Sequence, residues 1–263
     1  MDKFKHVSRE LFTNFNEVIY YDEPHKYYLG NKELISVTTL IHKYVNEFDS
    51  HYWSDYKADQ LNIPQEKVLE AWEFINKKGT MKGSIIHDYA ENRLLNKVFE
   101  YPKEKILNEF GFDPIWEEYL ITKKHVDKFI EDIRGKLIPI KTELILYDKE
   151  ALIGGMCDIL FYNVKHDEFQ IWDHKTNKDL SFDNNGKYLD GELSVLGESD
   201  IEIYSLQLET YKQIIERNTS IKLGKSYIVW YSHNNENYEI IPTYNRKYYI
   251  EQMFNERIKA IAT

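Results

Sequence analysis

The chain has 263 residues, and its 34 basic and 44 acidic side chains give a net charge of -10. That charge argues against nucleic-acid binding through bulk positive charge, although it is compatible with a local basic groove. A single cysteine, Cys157, excludes a disulfide framework, a zinc ribbon and a four-cysteine iron–sulfur cluster within one chain.

The N-terminal sequence MDKFKHVSRELF lacks the apolar core of a signal peptide. No apolar run approaches the roughly 18 residues of a membrane-spanning helix. We therefore expect a cytoplasmic protein, in the host cytoplasm if a phage encodes it, with no membrane partner. Aromatic residues make up 15% of the chain and predict a folded core.

The N-terminal part contains turn signals followed by helical patterns. The stretch VIYYDEPHKYYLGNKELIS predicts a hairpin that turns near Gly30 and Asn31. A helix follows in SVTTLIHKYVNEF, with Ser36 or Thr38 at its cap. Further helices are predicted at about 67–79, 83–97 and 113–134. We assign residues 1–80 to an N-terminal hairpin and helical extension and residues 81–263 to a core, the two forming one compact unit.

The pattern changes to alternating, β-branched and aromatic residues in KTELILYDKEALIGGMCDILFYNV. This stretch predicts two strands that turn at Lys149 and Glu150, and EFQIWDHKT predicts a third. A polar stretch at about 177–200 precedes a helix in EIYSLQLETYKQIIERN, two strands, and a closing helix from about 246. The order predicts an α/β (α+β) fold with a mixed sheet.

Two aspartates interrupt the apolar runs of the second and third strands. If 164–167 form a four-residue loop, Asn163 faces Glu168, and five residues further along each strand Asp158 faces Asp173. Opposed Cβ atoms in such a ladder lie about 4.5–5.5 Å apart. Lys175 falls on the same face as Asp173, because side chains alternate along a strand.

Like charges opposed in this way destabilise a sheet unless a cation neutralises them. Hard oxygen ligands suit Mg²⁺ or Mn²⁺, and an adjacent lysine can orient a water or stabilise an oxyanion. The alternative interpretation is a surface ion-pair ladder. The apolar neighbours of both aspartates count against that alternative.

Two helical patterns supply further polar pairs. His87 and Glu91 are spaced i, i+4, so both lie on one helix face and both can reach a metal ion. Gln207 and Tyr211 have the same spacing and can bond a phosphate or a base. Taken alone, the first pair is more typical of a solvated helix face, and the second of a surface glutamine beside a core tyrosine.

The ordered set GSIIHDYAE, GGMCD, DHK and QLETY spans residues 83–211 and resembles the RecB-like branch of the PD-(D/E)XK nuclease superfamily. The resemblance implies a restriction-endonuclease-like αβββαβ core with a mixed central sheet flanked by helices. It implies that His87, Asp158, Asp173 and the backbone carbonyl of His174 bind the metal. Lys175 would be catalytic together with Asp158, Asp173 and Glu91, and Gln207 and Tyr211 would bind the substrate or help to place the lysine. Glu143, on the first strand, is a weaker candidate.

The resemblance therefore implies a deoxyribonuclease that needs one or two Mg²⁺ or Mn²⁺ ions. Because Cys157 stands alone, the closest likeness is to cluster-free exonucleases that phages use in recombination, replication or DNA processing. DNA would be the substrate. Recombination or replication proteins, or further copies of the chain, would be the partners.

LGKS at 223–226 is no ATP site, since Thr219 replaces the first glycine of a P-loop. The alternative function is a catalytically silent nucleic-acid-binding or protein-interaction factor on the same fold.

Overall fold

The computed structural model describes residues 2–262, whose eight strands form one mixed sheet. The strands are β1 (Val18–Tyr21), β2 (Lys26–Leu29), β3 (Lys32–Ser36), β4 (Leu137–Asp148), β5 (Ile153–Asn163), β6 (Glu168–Lys175), β7 (Tyr227–Trp230) and β8 (Glu239–Pro242). The helices are α1 (Asp2–Asn14), α2 (Val37–His42), α3 (Ser50–Leu61), α4 (Gln65–Leu94), α5 (Lys103–Phe110), α6 (Trp116–Ile133), α7 (Asp200–Asn218) and α8 (Lys247–Ala262).

Helices cover both faces of the sheet, and each face has its own hydrophobic core beneath the helices. One core joins the sheet to α1, α2, α7 and α8, and the other joins it to α4, α5 and α6. Along the chain, α6, β4, β5, β6, α7 and β7 follow one another. The predicted mixed sheet flanked by helices is therefore confirmed. Among residues 2–262, no helix combines the length and the apolar composition needed to cross a bilayer.

The pairing of β5 positions the candidate site. Along one edge, β5 pairs with β4 from Ile153 to Asn163. The other edge is shared, because β3 pairs in parallel with Ile153 and Gly154, whereas β6 pairs antiparallel from Ile159 onward. No strand of the described chain pairs with this edge at residues 155–158. We call this gap the fork, and Asp158 is its last residue.

The N-terminal elements differ in part from those predicted. Gly30 and Asn31 do form a turn, between β2 and β3, but β1 adds a third antiparallel strand. Pro24 lies in the turn between β1 and β2, where proline commonly interrupts a strand. Ser36 caps α2 as predicted, since its hydroxyl accepts a hydrogen bond from the Thr39 amide at 3.0 Å.

The helices predicted at 67–79 and 83–97 are one continuous helix, α4, which also runs through residues 80–82. Gly79 and Gly83 lie inside it. A glycine costs about 1 kcal/mol in a helix interior, and the burial of Ile85, Ile86 and Tyr89 against the sheet offsets that cost. Helix α1 was not predicted, although the i, i+4 spacing of Val7 and Leu11 marks its buried face.

Gly155 is required by close packing at the fork. A Cβ atom at this position would lie 2.7 Å from Cε1 of Tyr211 and 3.0 Å from Cγ2 of Val37. Helices α2 and α7 can therefore approach β5 only because residue 155 has no side chain. In the GGMCD stretch, the second glycine, Gly155, lets Tyr211 lie against the strand that carries Asp158.

We expect Gly155→Ala to destabilise the protein by about 1–3 kcal/mol, the usual cost of overpacking. Gly79→Ala is the matched control, because a Cβ there meets nothing within 4 Å and alanine favours a helix. Chemical denaturation should show a lower midpoint for the first variant and an unchanged or higher midpoint for the second. Equal midpoints for the two variants would contradict the packing argument.

Candidate metal centre

The predicted register of β5 and β6 is confirmed, with pairs from Ile159–Trp172 to Asn163–Glu168. The ladder ends one step before Asp158 and Asp173. Along its other edge β6 pairs in parallel with β7 from Trp172 to Lys175, where Asp173 faces Ile228. The backbone amide of His174 donates a hydrogen bond to Oδ2 of Asp158 at 2.8 Å, so the two strands remain joined through a side chain.

Three ligand-type side chains from three elements meet at the fork. Single ligand atoms of His87 on α4, Glu143 on β4 and Asp158 on β5 all lie within 4.8 Å of one another. Nδ1 of His87 is 3.3 Å from Oδ2 of Asp158. One imidazole and two carboxylates at this spacing can share a single cation.

Glu143 reaches this group through a distortion of β4. The ladder between β4 and β5 pairs Thr142 with Ile159 and Leu144 with Cys157, and it omits Glu143. The backbone of Glu143 has φ of 45°, in the left-handed region that non-glycine residues rarely adopt. Such strained positions are often found at functional sites. The distortion therefore lies opposite Asp158, at the position where the carboxylates converge.

Asp173 and Lys175 form a second group in the same cleft. Nζ of Lys175 is 2.6 Å from Oδ2 of Asp173, and both side chains are largely buried. The ammonium group also donates to Oε1 of Gln207 at 3.4 Å and lies 4.4 Å from the ring centroid of Tyr204. Gln207 in turn donates to the Tyr211 hydroxyl at 3.3 Å. Two side chains of α7 and one of β6 thus fix the position of the lysine.

The carboxylates of the cleft differ in their pKa values. Burial, reinforced by Asp158 and Glu91, raises the pKa of Glu143 to about 8. Burial and the charge of Asp158 raise the pKa of Asp173 to about 6, against the attraction of Lys175. Burial also opposes ionisation of Asp158, but the nearby His87 and the His174 backbone amide outweigh it, so its pKa is lowered.

Lys175 stays charged in this environment. Burial alone would lower its pKa, but the attraction of Asp173 and then of Asp158 raises it. A buried ammonium ion held by carboxylates is a fixed positive charge.

These observations fit a divalent cation bound by His87, Glu143 and Asp158. Two of the three donors are carboxylates, the ligands that Mg²⁺ and Mn²⁺ prefer. Among the described residues Glu143 has no ion-pair partner, whereas Asp158 contacts the His87 ring and Asp173 pairs with Lys175. A bound cation would compensate the charge of Glu143, which the protein itself leaves unpaired.

The site opens into a cavity of about 490 Å³. Its floor contains the three ligand-type side chains together with Asp173, Lys175, Gln207 and Tyr211. Further lining residues come from β1, the turn after it, α4 and α5, namely Tyr20, His25, Asp88 and Lys105. The cavity places both groups of charged side chains in reach of one ligand.

The structure separates the predicted metal ligands. His87 and Asp158 lie together, whereas Asp173 pairs with Lys175 beside them. The His174 ring is buried on the other side of the strand, and burial lowers its pKa to about 3, so it is neutral. The roles of Asp173 and of the His174 carbonyl as ligands stay predictions. Glu91 accepts a hydrogen bond at 2.7 Å from Oγ1 of Thr142, the residue that precedes Glu143.

Glu143 was only a weak candidate in the sequence analysis, and Tyr204 was not predicted. Glu143 depends on a backbone distortion that no residue pattern signals. Tyr204 had a signal, since it precedes Gln207 by three residues and therefore lies on the same face of α7.

Replacing Glu143 with glutamine should stabilise the metal-free protein at pH 8. The folded-state pKa of about 8 exceeds the ordinary value of 4.5. Folding therefore loses stability as pH rises through this window, and it loses none below pH 4.5. We expect Glu143→Gln to raise the melting temperature more at pH 8 than at pH 5. Each kcal/mol of added unfolding free energy corresponds to a rise of about 2–4 °C.

Adding Mn²⁺ at pH 8 should make the wild type melt at a higher temperature than Glu143→Gln, because only the wild type keeps both carboxylates for the ion. Glu131→Gln, at an exposed position of α6, serves as the control. It should change neither the melting temperature of the metal-free protein nor the response of that temperature to Mn²⁺. A melting temperature of Glu143→Gln equal to wild type at both pH values, with the same response to Mn²⁺, would contradict the assignment.

Comparison with known proteins adds little to this geometry. No protein-family model matches the sequence, and no curated protein matches it. A solved structure titled "Crystal structure of SSO0001" matches 70% of this chain and 88% of its own chain, at 13% identity and a TM-score of 0.28. This similarity is too low to assign a fold or a function.

Proposed function

We propose that the protein is a metal-dependent deoxyribonuclease that hydrolyses phosphodiester bonds, acting as an exonuclease in phage-type recombination, replication or DNA processing. The observation that carries the proposal is the meeting of His87, Glu143 and Asp158 beside the Lys175–Asp173 ion pair in one cleft. A cation held by the first group would supply Lewis acidity for attack on a phosphodiester.

The side chains of the chain have separable roles in this proposal. His87, Glu143 and Asp158 hold the cation. Lys175 places a fixed positive charge beside the cleft floor, where it can orient the attacking water or stabilise the oxyanion. Asp173 and Gln207 hold the lysine in position, and Tyr211 holds Gln207.

A catalytically silent DNA-binding protein or a protein-interaction factor would not need these groups. Burying a lysine beside an aspartate carries a desolvation penalty that a merely structural pair seldom repays. Leaving Glu143 strained and unpaired adds to that penalty. Both features support an enzyme over the two alternatives.

The direct test uses linear and circular DNA, each single- and double-stranded, with Mg²⁺, Mn²⁺ or a chelator. We expect degradation that requires metal and that proceeds on linear DNA. Equal degradation of circular DNA would replace the exonuclease with an endonuclease. Absence of cleavage on all four substrates with either metal would refute the enzyme.

Two variants should separate the roles of the two groups. Lys175→Met should slow cleavage by about 10²–10⁴-fold, the usual contribution of a positioned acid–base group, while keeping Mn²⁺ affinity. Asp158→Asn should lose cleavage and Mn²⁺ affinity together. Activity and calorimetric titration measure both effects, and Lys128→Met, at an exposed position of α6, is the control. If Lys175→Met also lost Mn²⁺ binding, the lysine would be structural.

A further inference from the structure

A second cavity adjoins the candidate site on the other side of Gly83. It has a volume of about 680 Å³ and lies between α4, the start of α6 and the chain that follows Lys175. A Cβ atom at Gly83 would lie 3.5 Å from Oγ1 of Thr176. Gly83 lines the metal cleft and Thr176 lines the second cavity, so the two spaces meet at this contact.

The second cavity is basic, although the chain as a whole is acidic. Lys78, Lys82, Lys178 and His233 line it together with one carboxylate, that of Glu118. Nζ of Lys82 lies 3.0 Å from Oε2 of Glu118 and 3.2 Å from Nδ1 of His233. A lining with three lysines and one carboxylate has an excess of positive charge.

The lysines are arranged in two layers. Lys82 is only 4% exposed and is held rigidly by Glu118 and His233. Lys78 also contacts Glu118 but is more exposed, and Lys178 is exposed. The buried lysine contributes to the field of the cavity, and the outer two can contact a ligand. Hydroxyl and amide groups of Thr80, Thr176 and Asn177 add neutral hydrogen-bonding groups.

We propose that this cavity binds a backbone phosphate of the substrate strand, next to the phosphate that is cleaved. The proposal rests on the proposed nuclease function. A strand lying in the metal cleft continues past Gly83 and Thr176 into the second cavity. Lysines serve well as point-charge partners of phosphate oxygens, and Ser or Thr hydroxyls and Asn amides complete such contacts. Because the net charge of the chain is -10, this local site would supply much of the attraction for DNA.

The test measures binding separately from cleavage. Affinity for a short labelled single-stranded DNA is measured in chelator across about 50–200 mM salt. The double variant Lys78→Ala/Lys178→Ala should bind roughly tenfold more weakly, and the slope of log affinity against log salt should fall by about 1–2. With Mn²⁺, KM for DNA should rise while kcat stays near wild type.

The control is Lys77→Ala/Lys128→Ala, which removes the same charge from lysines outside both cavities. Lys77 neighbours Lys78 but pairs with Glu73 at 3.1 Å, and Lys128 pairs with Asp132 at 3.1 Å. Melting temperatures of both double variants establish that they fold.

Equal affinity and equal salt slope for the two double variants would overturn the phosphate site. That result would leave the nuclease proposal intact, because cleavage is scored on its own. Conversely, a wild type that binds DNA through Lys78 and Lys178 without cleaving it would support the phosphate site and reject the nuclease.

Discussion

The edge of β5 that is shared between β3 and β6 is the constraint on which the site depends. A strand edge left without a partner exposes amide and carbonyl groups that must be satisfied elsewhere. Here β5 and β6 diverge after the Ile159–Trp172 pair, while β7 pairs along the other edge of β6, and the carboxylate of Asp158 accepts a hydrogen bond from the His174 amide across the opening. The divergence creates the space for the cleft, and the hydrogen bond keeps its two sides together.

Charge compensation organises the groups around this opening. Three carboxylates lie within a largely buried region, and the protein provides a polar partner for two of them, the His87 imidazole for Asp158 and the Lys175 ammonium group for Asp173. The third, Glu143, is kept near neutrality by burial and by its acidic neighbours. In such an acidic cluster, burial and the neighbouring carboxylates disfavour ionisation of Glu143. Binding of a divalent cation would offset both effects.

Local sequence patterns predicted much of this arrangement. Alternation and turn residues predicted β4, β5 and β6 and the correct register of β5 on β6, because period-two patterning fixes which residues face each other. The i, i+4 pairs placed His87 with Glu91 and Gln207 with Tyr211 on their helices. The αβββαβ order followed from the same patterns.

What the sequence did not predict depends on tertiary structure. The left-handed backbone of Glu143 lies at the gap in the β4–β5 pairing opposite Asp158 and has no composition signal. The pairing of Asp173 with Lys175 was hidden by the expectation that two opposed aspartates would repel each other. The continuity of α4 through Gly79 and Gly83 was not predicted, because the low helix propensity of glycine outweighed the apolar pattern. In the folded protein, the packing of that apolar face stabilises the helix.

That continuity restricts how the chain can vary in length. One unbroken helix carries Lys78, Lys82, Gly83 and His87. A single residue inserted between Lys82 and His87 would rotate the imidazole by about 100° relative to the lysines, since an α-helix has about 3.6 residues per turn. The loops at either end of α4 can gain or lose residues without this effect. Relatives with the same chemistry should therefore keep the count from Lys78 to His87 fixed while their loops differ in length.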